Sequence, residues 1–182
     1  MTTTATTTST WTIDSAHSIA EFSVKHMMVS TVKGRFRDVE GTLSIDEERP
    51  ERSTVIATIA AASIDTGVEM RDNHLRSADF FEAETYPALT FRSTSVEKVD
   101  DERWRIAGEL TIRDVTRPVV LDMEYEGQIR DAYGKQRAAF SVTTQINRRD
   151  FGLNWNGALE AGGVVVGEKV KIELHIAAVL AE

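Results

Sequence analysis

Four histidines and two arginine-rich clusters are the groups in this 182-residue chain best suited to chemistry. His17, His26, His74 and His175 stand far apart in sequence, and no cysteine is present to complete a thiolate metal site. His175 follows Lys171 and Glu173 on the polar face of its segment and is read as solvent-exposed. His26 shares a face with Phe22 and Val24, which points it inward. Two readings of it stand: a core histidine satisfied by a hydrogen bond, or a polar contact to a ligand head group in an otherwise apolar cavity. A haem or metal role would need partners that the sequence does not name. The run Arg71-Asp72-Asn73-His74-Leu75-Arg76 has the makings of an acid–base constellation, and Arg148-Arg149-Asp150 repeats the mixture. Carboxylates beside arginines at loop positions more often form structural pairs and caps, and Asp150 is expected to pin its loop by pairing with an arginine. No phosphate-binding glycine loop, dinucleotide fingerprint, nucleophile elbow or zinc-protease helix motif occurs. Without a nucleophile, a metal cage or an oxyanion hole, the chain reads as a non-enzyme with no catalytic residue and no metal.

The elements that carry these residues are strands. Ala20, Phe22, Val24 and His26 alternate with Glu21, Ser23 and Lys25. Trp104, Ile106, Leu110 and Ile112 alternate with charged neighbours over 103–113, as do Val119, Leu121, Met123, Tyr125 and Ile129 over 117–130. Val170, Ile172, Leu174, Ile176 and Leu180 do the same over 168–180. Such alternation marks strands with one buried and one wet face, the habit of antiparallel sheets. Segments 32–46, 54–65, 88–99 and 136–147 complete a set of eight. Within 32–46 the apolar register switches from Gly34 and Phe36 to Val39, Gly41, Leu43 and Ile45, which predicts a β-bulge near Arg37-Asp38. Eight strands joined in meander order by short polar turns predict an all-β, antiparallel up-and-down barrel or a sandwich, and the length of the strands favours the eight-stranded barrel. Phe22, Phe36, Phe91, Trp104, Leu121, Met123, Tyr125 and Phe140 would face its interior, with Ala57 to Ala62 and Gly41 leaving space. Residues 66–87 and 148–167 are long connections with enough apolar side chains to lie across a barrel end, the first with a short helix near Glu69–Arg76.

Composition sets the outer limits. Acidic residues number 29 against 21 basic ones, a net charge of −8, which argues against nucleic acid as a partner. Residues 1–10 are almost all threonine and read as a disordered tail, with a single domain over 11–182. That tail lacks the charged start and apolar stretch of a secretory signal, and no run approaches a membrane span, so the expectation is a cytoplasmic protein without stable membrane insertion.

The sequence also resembles the YceI-like family. The resemblance rests on Trp11-x-Ile13-Asp14-x-x-His17-Ser18 followed by Phe22-x-Val24-x-His26, and on the segment Arg71–Phe81 with Tyr86-Pro87. Gly108–Val119, Asn147–Leu153 and Val166–Ile172 continue it in order to the end of the chain. It implies a lipocalin-like barrel that binds one long polyisoprenoid, such as an isoprenoid quinone or polyprenyl phosphate, or another fatty amphiphile, in its tunnel. It carries no catalytic residue and no cofactor beyond that bound lipid, and it implies pairing into a homodimer through a sheet face. Phe22, Val24, His26, Leu75, Phe80 and Phe81 are the positions it nominates for ligand contact. Phe36, Phe91, Trp104, Ile106, Leu121, Met123 and Phe140 join them by strand alternation alone. The function expected is carriage or storage of the lipid. An interaction barrel with a filled core and an enzyme acting on an isoprenoid are the alternatives. On the carrier reading, Ala60 and Met123 are positions where a tryptophan would block the tunnel.

Overall fold

The period-two segments fold as antiparallel strands in the computed structural model, which describes residues 8–157 and 163–182. The strands are β1 (Thr8–Ile13), β2 (Ile19–His26), β3 (Ser30–Phe36), β4 (Val39–Asp46), β5 (Thr54–Ala60) and β6 (Ile64–Asp65). They continue with β7 (Ala88–Lys98), β8 (Arg103–Ile112), β9 (Val115–Arg130), β10 (Gln136–Asn147) and β11 (Val166–Leu180). Eleven strands make only eight staves, because three staves are broken. A 3-10 turn at Ser15–His17 divides β1 from β2, the residues Arg37-Asp38 divide β3 from β4, and a 3-10 turn at Ala61–Ser63 divides β5 from β6. Each stave pairs with the next, and β11 closes the ring against both halves of the first, Trp11 opposite Leu180 and Ala20 opposite Leu174. The predicted eight-stranded meander barrel is the fold observed.

Local sequence accounts for the breaks. At Arg37-Asp38 the buried set passes from Gly34 and Phe36 to Val39 and Leu43, as the register switch predicts. A second switch went unread in the sequence. Opposite Ala139 and Phe140 stand Gly127 and Tyr125, so Glu126 is an extra residue, and Gly127 takes a φ of 124°. Beyond this bulge the faces exchange, and Ile129, expected inside, is 69% exposed. Order also begins earlier than expected. Thr8, Ser9 and Thr10 pair with Asp46, Ile45 and Ser44 in β1, so they belong to the barrel rather than to a tail. The remainder of that predicted tail, residues 1–7, lies outside the described residues.

Glycines thin the wall where aromatic rings lie against it. The Phe22 ring covers Gly34 on the neighbouring strand, and the Phe91 ring covers Gly108. A β-carbon at either glycine would collide with the ring, so these positions let large side chains lie along the wall instead of across the barrel.

Candidate ligand-binding site

The barrel interior holds an apolar lumen. Its upper part is a cavity of about 220 Å³ that presents only apolar surface, walled by Phe22, Val24, Phe36, Ala57, Met123 and Phe140 among others. A lower cavity of about 210 Å³ lies toward the other end, between Trp11, Trp104 and Tyr125. Leu43, Val55, Ile106, Met123 and Phe140 border both, so they form the waist of the lumen.

The upper end is covered by two segments. The first runs from β6 to β7 and contains the helix α1 (Glu69–Arg76), at the residues the sequence predicted. It turns Leu75, Phe80 and Phe81 to the lumen, and Phe81 meets the wall residue Phe36 edge-on, with ring centroids 5.5 Å apart. The polar residues of this segment anchor it. Buried Asp72 accepts hydrogen bonds from the Thr66 backbone amide and hydroxyl. Arg71 donates to the Thr66 carbonyl at 2.8 Å, and Arg76 donates to those of Ala62 and Ile64 at 2.9 and 2.8 Å. The Arg71–Arg76 cluster is therefore structural pinning, with its guanidinium groups turned to backbone.

The second segment follows β10. Arg148 is 3% exposed and donates to four carbonyls, those of Leu153, Trp155, Val166 and Gly167. Burial lowers its pKa from the ordinary arginine value. Asp150 was expected to hold this loop through its carboxylate. Instead Arg148 holds it, and Asp150 contributes its backbone carbonyl to Arg117 at 3.0 Å. The reason is the 3-10 turn at Arg148–Phe151, which buries Arg148 and Phe151 and leaves Asp150 facing outward. Asn156 fastens the far end of the segment to Val166 through both its amide groups. The two segments meet through aromatic contact: the His74 ring lies edge-on to Trp155 at 4.6 Å and to Phe80 at 5.1 Å, and its Nε2 donates a hydrogen bond to the Asp79 carboxylate at 2.8 Å.

Most residues nominated from the sequence stand on this lumen. Phe22, Val24, Phe36, Leu75, Phe80, Phe81, Phe91, Ile106, Leu121, Met123 and Phe140 all line the upper cavity. Two do not. Trp104 faces the lower cavity, its ring beneath the Lys98 ammonium at 5.8 Å. His26 lies at the rim, because β2 ends there, and it is half-buried with no side-chain hydrogen bond among the described residues. Ala60 is also off the wall: the inward positions of β5 are Val55, Ala57 and Ile59, and Ala60 begins the turn to β6. Leu43, Leu153 and Ile176 were missing from the nominated set although they line the cavity. Leu43 and Ile176 follow from the alternation of their strands, whereas Leu153 sits in a loop where no periodicity could point to it.

A YceI-like domain model matches residues 11–178. The chain belongs to the YceI-like family. A UPF0312 protein of Staphylococcus aureus (strain N315) is 40% identical over 164 residues, covering 90% of this chain and 93% of that protein. Among solved structures, the Campylobacter jejuni YceI protein superposes with a TM-score of 0.71 at 32% identity, covering 87% of this chain and 90% of its own. BcnA of Burkholderia cenocepacia has a TM-score of 0.79 at 22% identity over 91% of this chain and 98% of its own, a likeness of fold. A polyisoprenoid-binding domain from Saccharophagus degradans, implicated in plant cell wall breakdown, has a TM-score of 0.65 at 16% identity over 94% and 98%. In this YceI-like chain the Arg71–Phe81 segment forms the first half of the cover, and Asn147–Leu153 forms the start of the second. No helix among the described residues is long and apolar enough to cross a membrane.

Proposed function

We propose that this YceI-like protein binds, and carries or stores, one long-chain polyisoprenoid or similar amphiphilic lipid in its lumen, without catalysis. The observation that carries the reading is the lining: a cavity of about 220 Å³ that presents apolar surface alone beneath a two-part cover. The likeness to the Saccharophagus degradans polyisoprenoid-binding domain supports it. Chains of isoprene units offer nothing to hydrogen-bond, so their affinity comes from apolar area removed from water. At roughly 25 cal/mol per Å², burial of about 400 Å² of ligand contributes on the order of 10 kcal/mol before ordering costs of several kcal/mol. Micromolar or tighter binding follows. An isoprenoid quinone or polyprenyl phosphate would leave its head group at the upper end, where the polar side chains of the cover are.

The enzyme reading lacks support from its two candidate groups. His26 stands at the rim, away from the lumen lining, and the Arg71–Arg76 guanidinium groups are turned to backbone carbonyls. The filled-barrel reading has to explain two cavities that share a waist. Organic extraction of purified protein, followed by mass spectrometry, is the direct test. A stoichiometric long-chain lipid, or micromolar binding of an added polyprenyl chain by extracted protein, is the expected result. Failure of both would overturn the proposal.

A further inference from the structure

The hairpin between β2 and β3 ends in three consecutive exposed apolar residues, Met27, Met28 and Val29, which are 48, 63 and 85% exposed. His26 and Ser30 pair at its base, so these three residues are the whole tip. Met28 lays part of its side chain over Gly163 of the second cover segment and still remains mostly exposed. Met27 and Met28 have φ values of 52° and 65°, a region that glycine or asparagine occupies with less strain. A turn selected for solubility and stability would be polar. The tip stands at the upper end of the barrel and begins three residues beyond Val24 of the lumen wall.

Beneath the tip, the outer face is basic. Register places Lys33, Ser23, Lys171 and Gln145 in one row across four strands, with Lys25 nearer the tip opposite Thr31, and Lys169 opposite Asn147. All four lysines are exposed, and none has a carboxylate within 4.0 Å among the described residues. The nearest acids are occupied or lower on the barrel: Glu168 pairs with Arg149, Asp65 pairs with Arg37, and Glu21 and Glu173 lie two residues further from the tip. At the opposite end, exposed Tyr133 stands in a turn with Asp131, beside the acidic turn Asp100–Glu102. Exposed acids also stand at the upper end, Glu69, Glu84 and Asp150 of the cover among them, so the basic character is local to the face beneath the tip.

We propose that this hairpin docks the protein reversibly on an anionic phospholipid surface. Met27, Met28 and Val29 enter the boundary between head groups and acyl chains, and the lysine collar meets the phosphates. A patch of three side chains on a narrow tip is small for a stable protein partner but sufficient for a fluid surface that needs no matching shape. The inference rests on the carrier reading for its purpose, since docking brings the upper end of the lumen to the store of apolar cargo.

Flotation with vesicles tests it. The full chain is expected to float with vesicles of equal parts phosphatidylcholine and phosphatidylglycerol, to remain behind with phosphatidylcholine alone, and to be released by high salt. A Met27→Asn/Met28→Asn/Val29→Ser variant keeps residues that tolerate the left-handed backbone, so it is expected to fold and to lose flotation. Lys33→Gln and Lys171→Gln should each weaken binding about fivefold at low salt. Uptake of a polyprenyl chain from detergent micelles, measured in parallel, should be unchanged in all of them. Absence of wild-type flotation, or equal flotation of the triple variant, overturns the docking whatever the uptake. Flotation intact with no uptake by any protein would support the docking and overturn the carrier reading instead.

Discussion

Met123 is the side chain through which the lumen can be tested most directly. It projects from the middle of β9 and borders both cavities, so enlarging it to tryptophan obstructs the waist without touching either end. In a barrel whose interior is filled, such overpacking costs about 1–3 kcal/mol of stability. In a barrel whose interior is a ligand path, the indole occupies empty space, and the melting temperature should hold or rise. Ligand binding moves the other way. Displacing one five-carbon isoprene unit removes roughly 4 kcal/mol of burial, at about 0.8 kcal/mol per carbon. That is nearly a thousandfold in Kd, at 1.4 kcal/mol per decade. Short polyprenyl chains that end above the waist should bind Met123→Trp as they bind the wild type, while long chains lose affinity. Fluorescence titration with chains of graded length, together with thermal melts, reads both effects. A folded variant with unchanged affinity for long chains would refute the lumen as the binding path. A lower melting temperature with unchanged binding would favour the filled barrel.

Three further outcomes follow from the polar anchors and the cover. Arg148→Met leaves the Leu153, Trp155, Val166 and Gly167 carbonyls without their donor, and should cost on the order of 3 kcal/mol in denaturant unfolding while hastening proteolysis between β10 and β11. Trp155→Ala removes the aromatic contact between the two cover segments, which no hydrogen bond joins among the described residues; stopped-flow exchange of bound lipid should accelerate with little change in melting temperature. The Arg137 guanidinium, 2.6 Å from both Asp14 and Asp131, holds both carboxyls below the ordinary carboxylate range, with His17 assisting at Asp14. Their contribution to stability is present above the unfolded value of about 3.9 and is lost as pH falls through the lowered folded values. Arg137→Leu should therefore move the midpoint of acid unfolding upward, with the difference from wild type vanishing at still lower pH; an unmoved midpoint would show that the pair is idle.

Alternation made the barrel legible because every inward side chain is two residues from the next, and the same rule named most of the lumen wall. It failed where the backbone departs from strict pleating. The extra residue at Glu126 exchanged the faces of β9, so Ile129 came out while Gln128 turned toward the lower cavity. The alanine-rich segment 54–65 is apolar on both sides and offered no contrast between faces, and Ala60 proved to lie off the wall. His26 was misread for a related reason: parity gives the face of a residue but not its depth, and β2 runs out at the rim. The cover could be read as apolar but not as anchored. Which arginine pins a loop depends on backbone carbonyls brought together by the fold, and carbonyls carry no signature in sequence. Arg148 and Asp150 are two residues apart, and only the 3-10 turn decides that the cation goes in and the carboxylate goes out.

The division of labour between arginines and aromatics explains how this barrel stays hollow beneath a closed end. A cover held by apolar packing alone would fill the space under it, since the side chains that fasten it would be those that face the lumen. Here the fastening is done by directional bonds to backbone. Arg71 and Arg76 tie the first segment to Thr66, Ala62 and Ile64, and Arg148 ties the second to the start of β11. Leu75, Phe80, Phe81 and Leu153 are thereby released to line a cavity instead of closing it. The wall follows the same logic, with Phe22 and Phe91 laid over Gly34 and Gly108 rather than across the interior. Apolar residues that would make a solid core in another barrel make a surface in this one, and an internal apolar surface has an affinity for whatever chain can cover it.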